Sequence, residues 1–362
     1  MSTARFSAAD HAHMARALQL AARGLYTTTP NPRVGCVIVK DGAVIGEGWH
    51  QRAGEPHAEV HALAAAGAAA RGATAYVSLE PCSHHGRTPP CTEALIRAGV
   101  ARVVAAMRDP NPVVAGGGIG MLTLAGIIAE VGLLEAEARA INPGFISRMT
   151  RGRPWVRLKT AATLDGKTAL ANGQSQWITG AAARADVQRL RARACAILTG
   201  SGTVLADDPR MTVREFDIGR QPLRVVVDST LRTPPAAAIL PALIVCHHAD
   251  AARRAALENA GAEVIVLPGA NGRVDLAALL VALAQRGINE VHVEAGAGLN
   301  GALLAAGLVD EWIAYVAPMA VGDTARGLFA HPPLIALTDA ARFQLADVRQ
   351  IGGDLRLTLQ PM

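Results

Sequence analysis

Aromatic residues make up only 3% of this 362-residue chain, which argues against a surface built to stack single-stranded bases. Charged residues are sparse at 18%, while hydrophobic residues reach 51%. That balance excludes a disordered chain and points to globular cores. No Lys/Arg-rich run carries the net charge of +5, so a basic stripe for nucleic acid is missing. The excess fits an ordinary basic surface, or attraction of phosphorylated small molecules. The chain opens on a polar, charged amphipathic segment, not an apolar signal core. Its five cysteines, Cys36, Cys82, Cys91, Cys195 and Cys246, are odd in number and widely spread. Reduced thiols and a cytoplasmic setting are therefore expected. Residues 111–129 carry no charge, but Pro112 and Gly116-Gly117-Gly118 interrupt them. A membrane span needs roughly 20 mostly apolar residues, so a loop and then a well-buried helix are expected here, with no membrane contact.

The remaining pattern is α/β, in two domains. Ser7-Ala-Ala-Asp10 reads as a capping box for a helix to about Arg23. Residues 34–40 and 43–49 are strand-like, and Asp41-Gly42 between them is a hairpin signal. A helix near 57–70, a strand at 73–78, a helix at 91–98 and a strand at 101–107 follow. The pattern breaks between Asn142 and Pro154, which sets the expected domains at 1–148 and 149–362. Strands are then expected at 155–160, 196–199, 223–228, 243–246, 263–267, 290–294 and 312–317, with helices at 181–193, 275–286 and 299–306. Such alternation implies sheets with helices on their faces.

His57-Ala58-Glu59, Pro81-Cys82 and Pro90-Cys91 place one imidazole, two thiols and a glutamate in an order that suits zinc. Three protein ligands leave a position for water, whereas structural sites use four. Zinc lowers the pKa of its water to about 7, and Glu59 can move the water proton to a leaving ammonia, as in zinc nucleobase deaminases. Two other readings use the same residues. One is a structural zinc completed by His61 or His84, of which His61 shares a helix face with His57. The other is a pair of buried cysteines without metal. A structural site leaves Glu59 without a task. The insert between the cysteines is polar and carries Arg87, a cation beside the metal. Gly296-Ala-Gly-Leu-Asn-Gly301 follows a strand and precedes a helix, and reads as a phosphate cradle. It sits too late in its domain for a Rossmann fingerprint, and a packing turn is the plain alternative. Gly200-Ser-Gly-Thr203 is a second glycine-rich turn, leading to Asp207-Asp208.

The insert also carries a resemblance. His57-Ala-Glu-Val-His-Ala and Leu79-Glu-Pro-Cys-Ser-His-His-Gly-Arg-Thr-Pro-Pro-Cys91 closely resemble the bifunctional deaminase/reductase family of bacterial riboflavin biosynthesis. So do Pro30-Asn31-Pro32, Asp109-Pro-Asn-Pro112, Leu164-Asp-Gly-Lys167, Gln176-Trp-Ile-Thr179, Ala206-Asp-Asp-Pro209 and Val293-Glu-Ala-Gly296, in order along nearly the whole chain. The resemblance implies a cytidine-deaminase-like three-layer fold followed by a dihydrofolate-reductase-like fold. It implies zinc in the first and NADPH in the second. The implied substrate is a diaminopyrimidinone carrying a phosphoribosylamino group, deaminated first and then reduced from ribosyl to ribityl. The expected partner is thus a small phosphorylated pyrimidine, with no nucleic acid, and a homo-oligomer is the expected assembly.

By the same resemblance, His57, Cys82 and Cys91 ligate zinc, Glu59 shuttles protons, and Asn31, His50 and Arg87 contact the first substrate. Ala161, Trp177, Thr203, Asp207, Ser229 and the loop Gly296, Ala297, Gly298, Leu299, Asn300, Gly301 and Ala302 meet the cofactor. Ser175, Arg191, Met211, Arg214 and Glu294 line the reductase substrate. Lys159, Asp207 and Glu294 stand open as proton donors, and Arg232, Arg224 and Arg210 as partners of the cofactor's extra phosphate. One departure is clear: the family usually carries lysine or arginine where this chain has Gly117. Two further classes were weighed. A nucleic-acid-editing deaminase conflicts with the scarce aromatics, and a zinc-stapled regulator conflicts with Glu59.

Overall fold

Asp41 and Gly42, with φ of 50° and 78°, close a two-residue hairpin between β1 (Gly35–Lys40) and β2 (Ala43–Trp49). Positive φ at both positions is what this tight turn needs, and Asp-Gly supplies it. The computed structural model describes residues 5–84, 89–112, 115–331 and 333–362. By contacts the chain falls into two units, Met1–Gly152 and Arg153–Met362.

In the first unit, helix α1 (Ala8–Ala22) starts at the capping box of Ser7 and Asp10. Strands β3 (Thr74–Val77), β4 (Arg102–Ala105) and β5 (Ile128–Val131) complete a five-stranded sheet in the order β2-β1-β3-β4-β5. Successive side chains of a strand point to opposite faces, so Val37 and Val39 pack with Met14 and Leu18 of α1. Cys36 and Ile38 pack on the other face, with α2 (Ala58–Ala66) and α3 (Cys91–Ala98). The result is three layers, with the Cys82 loop leaving β3 at its carboxyl end.

Two expectations are corrected here. Helix α4 (Gly117–Leu124) has only eight residues and is not well buried. Gly118 and Leu122, four apart on one face, are its buried positions, while Leu124 is 90% exposed. The chain then forms β5, where the sequence had suggested continuing helix. The stretch read as a pattern break, Asn142 to Pro154, holds helix α6 (Pro143–Arg151), directly after α5 (Glu135–Ile141). Pro143 stands in the first turn of α6 and Gly152 caps it in the left-handed region. Both are helix punctuation as readily as linker signals.

The second unit is built on nine strands in the order β11-β10-β9-β8-β12-β6-β13-β16-β15. These are β6 (Trp155–Thr163), β8 (Ala196–Gly200), β9 (Leu223–Val227), β10 (Leu243–Cys246), β11 (Glu263–Val266), β12 (Glu290–Glu294), β13 (Glu311–Ala317), β15 (Phe343–Ile351) and β16 (Asp354–Pro361). A small pair, β7 (Lys167–Ala169) and β14 (Arg326–Gly327), lies apart. Helices α7 (Ala181–Arg193), α8 (Ser201–Asp207), α9 (Ala251–Asn259), α10 (Leu276–Gln285) and α11 (Ala297–Ala305) join them. All strands from β6 to β13 in the sheet run parallel, and β16 and β15 add an antiparallel edge.

The two faces of this sheet differ in chemistry. Val156, Leu158, Val291 and Val293 build an apolar core with α10 and α11. Their alternates Arg157, Glu290 and His292 are almost wholly buried on the opposite face. Helix α7 covers that face with partners for it: Arg193 Nε reaches Glu290 at 2.9 Å, and Asp186 accepts from Tyr315 Oη at 2.6 Å. Because a one-residue slip would turn these charges into the apolar core, the ladder fixes the register.

Candidate active sites

Two of the three donors of the first site sit at helix starts. His57 is the N-cap residue of α2, and Cys91 is the first residue of α3, behind Pro90. Cys82 lies between them in the loop after β3. His57 Nδ1 is 3.6 Å from Cys82 Sγ and 3.3 Å from Cys91 Sγ, and the three ligand atoms lie within 4.8 Å of one another. Among the described residues no other group joins this cluster, so neither His61 nor His84 completes a four-ligand staple. The backbone N–H of Cys91 donates to Cys82 Sγ at 3.3 Å. A hydrogen bond from the Cys91 side chain is the largest cause holding the Cys82 thiol below its usual value, against burial and with help from His57. A thiolate beside an imidazole suits a divalent soft cation. Glu59 is 3% exposed, and its Oε2 is buried without a hydrogen-bond partner. Burial raises its pKa. One nitrogen, two sulfurs and an orphaned carboxylate oxygen fit zinc with an open position.

Asn31 and His50 come together beside these donors. Asn31 Nδ2 lies 3.1 Å from His50 Nε2, and His50 Nδ1 lies 3.2 Å from the Pro56 carbonyl. A carbonyl only accepts, so Nδ1 carries the proton and Nε2 accepts from Asn31. Burial keeps the ring neutral by lowering its pKa. The His50 ring meets His57 edge-on, with centroids 5.1 Å apart. Arg87 lies outside the described residues.

Sequence reasoning missed Glu80. Its carboxylate, 3% exposed, accepts from the backbone N–H groups of Asp109, Gly116 and Ile119, each at 3.1 Å. It thereby ties the Pro81-Cys82 loop to the segment around Gly117. Helix α4 approaches that loop so closely that a Cβ on Gly118 would lie 2.0 Å from the Pro81 carbonyl oxygen. A Cβ on Gly117 would meet Ser83 Oγ at 2.8 Å. The only sequence signal for Glu80 was its place two residues before Cys82, a candidate metal ligand.

The second site forms at the carboxyl ends of β6, β12, β8 and β9. The chain leaves β8 toward β9 and leaves β12 past β6 to β13, opposite directions in the sheet order. Such a switch point opens a crevice for ligands. Lys159 and Glu294 are register partners on β6 and β12. Arg191 of α7 grips Glu294 with two bonds, Nε to Oε1 at 2.5 Å and Nη2 to Oε2 at 2.9 Å, and donates to the Thr212 carbonyl at 3.1 Å. Met211 Sδ lies 3.8 Å from Arg191 Nη2, and His292 Nε2 lies 3.2 Å from Glu294 Oε1. Burial draws the Glu294 carboxyl upward, but Arg191 and His292 outweigh it and hold it well below the usual range. Burial pushes the half-buried Lys159 ammonium down. Ala161 follows on the same face of β6 and packs beside Tyr315.

Around this centre the other residues spread out. Thr203 sits in α8, which replaces the expected turn, and a Cβ on Gly296 would lie 3.8 Å from its Oγ1. Gly296 caps α11, and Gly298 faces open space. Leu299 packs toward Gly200, and Asn300 is buried with Nδ2 on the Ala295 carbonyl at 3.0 Å. Gly301 is buried, and a Cβ there would strike the Ala330 carbonyl oxygen at 2.1 Å, so the third glycine serves packing. Ala302 and Asp207 are exposed, and Ser175 is half-buried. Trp177 is 67% exposed, with the Arg184 guanidinium 4.4 Å over its ring. Exposed Arg214 is tied through its backbone N–H to Gln188 of α7 at 3.1 Å. Ser229 lies two residues past the end of β9.

Residues 7–107 match the cytidine and deoxycytidylate deaminase zinc-binding region, and residues 154–357 match the RibD C-terminal domain. The riboflavin biosynthesis protein RibD of Escherichia coli (strain K12) is 52% identical over 362 residues, covering 97% of this chain and 99% of that one. The chain belongs to the RibD family. Acinetobacter baumannii RibD superposes with a TM-score of 0.92 at 48% identity, covering 98% of this chain and 99% of that one. A diaminohydroxyphosphoribosylaminopyrimidine deaminase/5-amino-6-(5-phosphoribosylamino)uracil reductase from Thermotoga maritima gives 0.87 at 33% identity, covering 98% and 99%. As a RibD protein, the chain is a bifunctional deaminase and reductase of riboflavin biosynthesis, using zinc and NADPH. The expected pair of folds, deaminase then reductase, is the one observed. Among the described residues no helix is long and apolar enough to cross a membrane.

Proposed function

We propose that the first unit hydrolyses one ring amino group of a diaminopyrimidinone carrying a phosphoribosylamino group, and that the second reduces the ribosyl group of the product to ribityl. The observation that carries the first half is the buried, unpaired Glu59 Oε2 beside His57, Cys82 and Cys91. Zinc, when bound, supplies Lewis-acid activation of water at neutral pH. Glu59 takes the proton of the attacking water and delivers it to the departing amino group. Burial raises its pKa, which suits a group that holds a proton between two steps. The C–O bond forms first, giving a tetrahedral ring carbon, and the C–N bond then breaks as the protonated amino group leaves as ammonia. Asn31, held by His50, orients the ring through its free Oδ1.

In the second unit NADPH supplies the hydride. Glu294 is held ionised by Arg191, so it accepts hydrogen bonds from sugar hydroxyls and is a poor proton donor. Asp207 is exposed at the end of α8. Lys159 stands beside Glu294 with its pKa lowered by burial, and it donates the proton. Arg191 acts through Glu294, while exposed Arg214 is the cation open to the substrate phosphate.

The reading carries a cytosolic setting, supported by five cysteines without a disulfide, all among the described residues. It also carries a homo-oligomer, which the mass in solution tests. Elemental analysis tests the metal centre: one zinc per chain is expected, lost in Cys82→Ser. Full zinc content in that variant would contradict the assignment.

A further inference from the structure

We propose that His292 is a positioning residue of the second site, holding the Glu294 carboxylate from beneath so that Oε2 is the oxygen left to accept from the ribosyl hydroxyls. This deepens the reading that Glu294 meets the reductase substrate, and rests on it. His292 is the third residue of β12, and Glu294 ends the strand at the crevice. Alternate residues of a strand share a face, so His292 lies one step deeper on the face that α7 covers. Its ring is fully buried, yet among the described residues neither ring nitrogen has a hydrogen-bond partner. Leaving a buried polar group unpaired costs stability, so the ring needs a reason to be there. Its Nε2 supplies one. It lies 3.2 Å from Glu294 Oε1, near enough for a bond though not aligned for one. Such bonds at reaction centres are often loose without substrate and tighten in its complex.

The neighbours fix both the place and the charge of the ring. Its register partners are Arg157 on β6 and the fully buried Ile197 on β8, which flank it in the ladder. Glu290 and Glu294 of β12 and Arg191 of α7 share the same face. Burial, helped by Arg157 and Arg191, outweighs Glu294 and holds the ring's pKa below its usual value. A neutral imidazole with its proton on Nε2 serves Oε1 as a donor without adding a charge. Oε1 then faces two donors, His292 Nε2 and Arg191 Nε at 2.5 Å, which take up both of its lone pairs. Oε2 receives Arg191 Nη2 at 2.9 Å and keeps a lone pair for a ligand. Lys159, the register partner of Glu294, stands beside that oxygen's carboxylate on β6. A hydroxyl docked on Oε2 is thereby held next to the group that donates the proton.

The test is steady-state kinetics of the full chain on the deaminated intermediate and NADPH, for wild type, His292→Phe, His292→Gln and Glu294→Gln. Phenylalanine keeps a ring and removes the donor, whereas glutamine keeps an N–H donor without the ring. His292→Phe should raise the KM for the intermediate ~10-fold, the worth of a hydrogen bond to a charged group. Its kcat and its KM for NADPH should stay within about twofold of wild type, the mark of lost binding rather than of a damaged fold. His292→Gln should recover most of the loss. If Glu294→Gln raises the KM for the intermediate and His292→Phe leaves it unchanged, the positioning role is overturned and the Glu294 contact stands. A His292→Gln variant worse than His292→Phe would also overturn it, because the ring would then only pack. If Glu294→Gln itself leaves that KM unchanged, the substrate contact falls and the proposal falls with it.

Discussion

Glu80 sits two residues from Cys82, a candidate metal ligand, yet its carboxylate serves three backbone N–H groups of a distant segment. Removing it as Glu80→Ala leaves those donors without their acceptor, at roughly 1–3 kcal/mol for each that stays buried. Denaturant unfolding should show the N-terminal unit destabilised, and the KM for ammonia release should rise. Glu80→Gln, which keeps one acceptor oxygen, should recover part of both. A Glu80→Ala protein as stable as wild type would remove the clasp from the account. Lys159 gives a prediction for the other unit. Lys159→Met should lower kcat for NADPH oxidation by ~10²–10⁴-fold, the usual worth of a general acid, and leave zinc content and ammonia release intact.

Helix α1 shows how one capping residue joins several elements. Asp10 closes the capping box with Ser7 and accepts from Tyr76 Oη on β3 and Arg102 Nη1 on β4, each at 2.6 Å. Burial draws its carboxyl upward, but the bonds from Arg102, Tyr76 and Ser7 outweigh it and hold it well below the usual range. A depressed folded pKa means this stability is present above the unfolded value of about 3.9 and is lost as pH falls toward the folded value. Thermal unfolding across pH should therefore show a flatter acid limb for Asp10→Asn below about pH 4. Helix α4 gives a paired prediction. Gly118→Ala places a Cβ 2.0 Å from the Pro81 carbonyl oxygen, whereas a Cβ on Gly120 meets nothing within 4 Å. Gly118→Ala should push α4 off the Cys82 loop and depress ammonia release. Gly120→Ala should be tolerated, or stabilise by up to ~1 kcal/mol.

Elements with a strong periodic or turn signal were legible in the sequence. The Asp41-Gly42 hairpin, the Ser7 cap, α3 ending at Gly99, and the β10 and β12 strands stand where they were expected. Among the elements not expected were β16, α9 and edge strands without one buried face. Strand β15 is exposed along most of its length on both sides, so it shows no alternation, and β5 is a four-residue edge that followed an uncharged run. The cluster of His57, Cys82 and Cys91 was legible because a metal site needs particular residue types at fixed places, and the structure brings the three together. Glu80 and His292 were not, because their roles depend on backbone partners far away or on side-chain direction.

For the whole molecule, the account assigns each reaction to its own unit, with its own ligands and electrostatics. Chelating the zinc should abolish ammonia release while NADPH oxidation on the deaminated intermediate persists. The resemblance led to the expectation of lysine or arginine where the chain carries Gly117, so the first reaction is where that expectation is tested. The most direct test follows ammonia release and NADPH oxidation in parallel on the diaminopyrimidinone ribosylamino phosphate, for wild type and Glu59→Gln. Glu59→Gln should keep its zinc, lose ammonia release by ~10²–10⁴-fold, and oxidise NADPH at the wild-type rate when given the deaminated intermediate. Wild type that holds zinc and releases no ammonia from this substrate would contradict the account, as would a Glu59→Gln variant that still releases it.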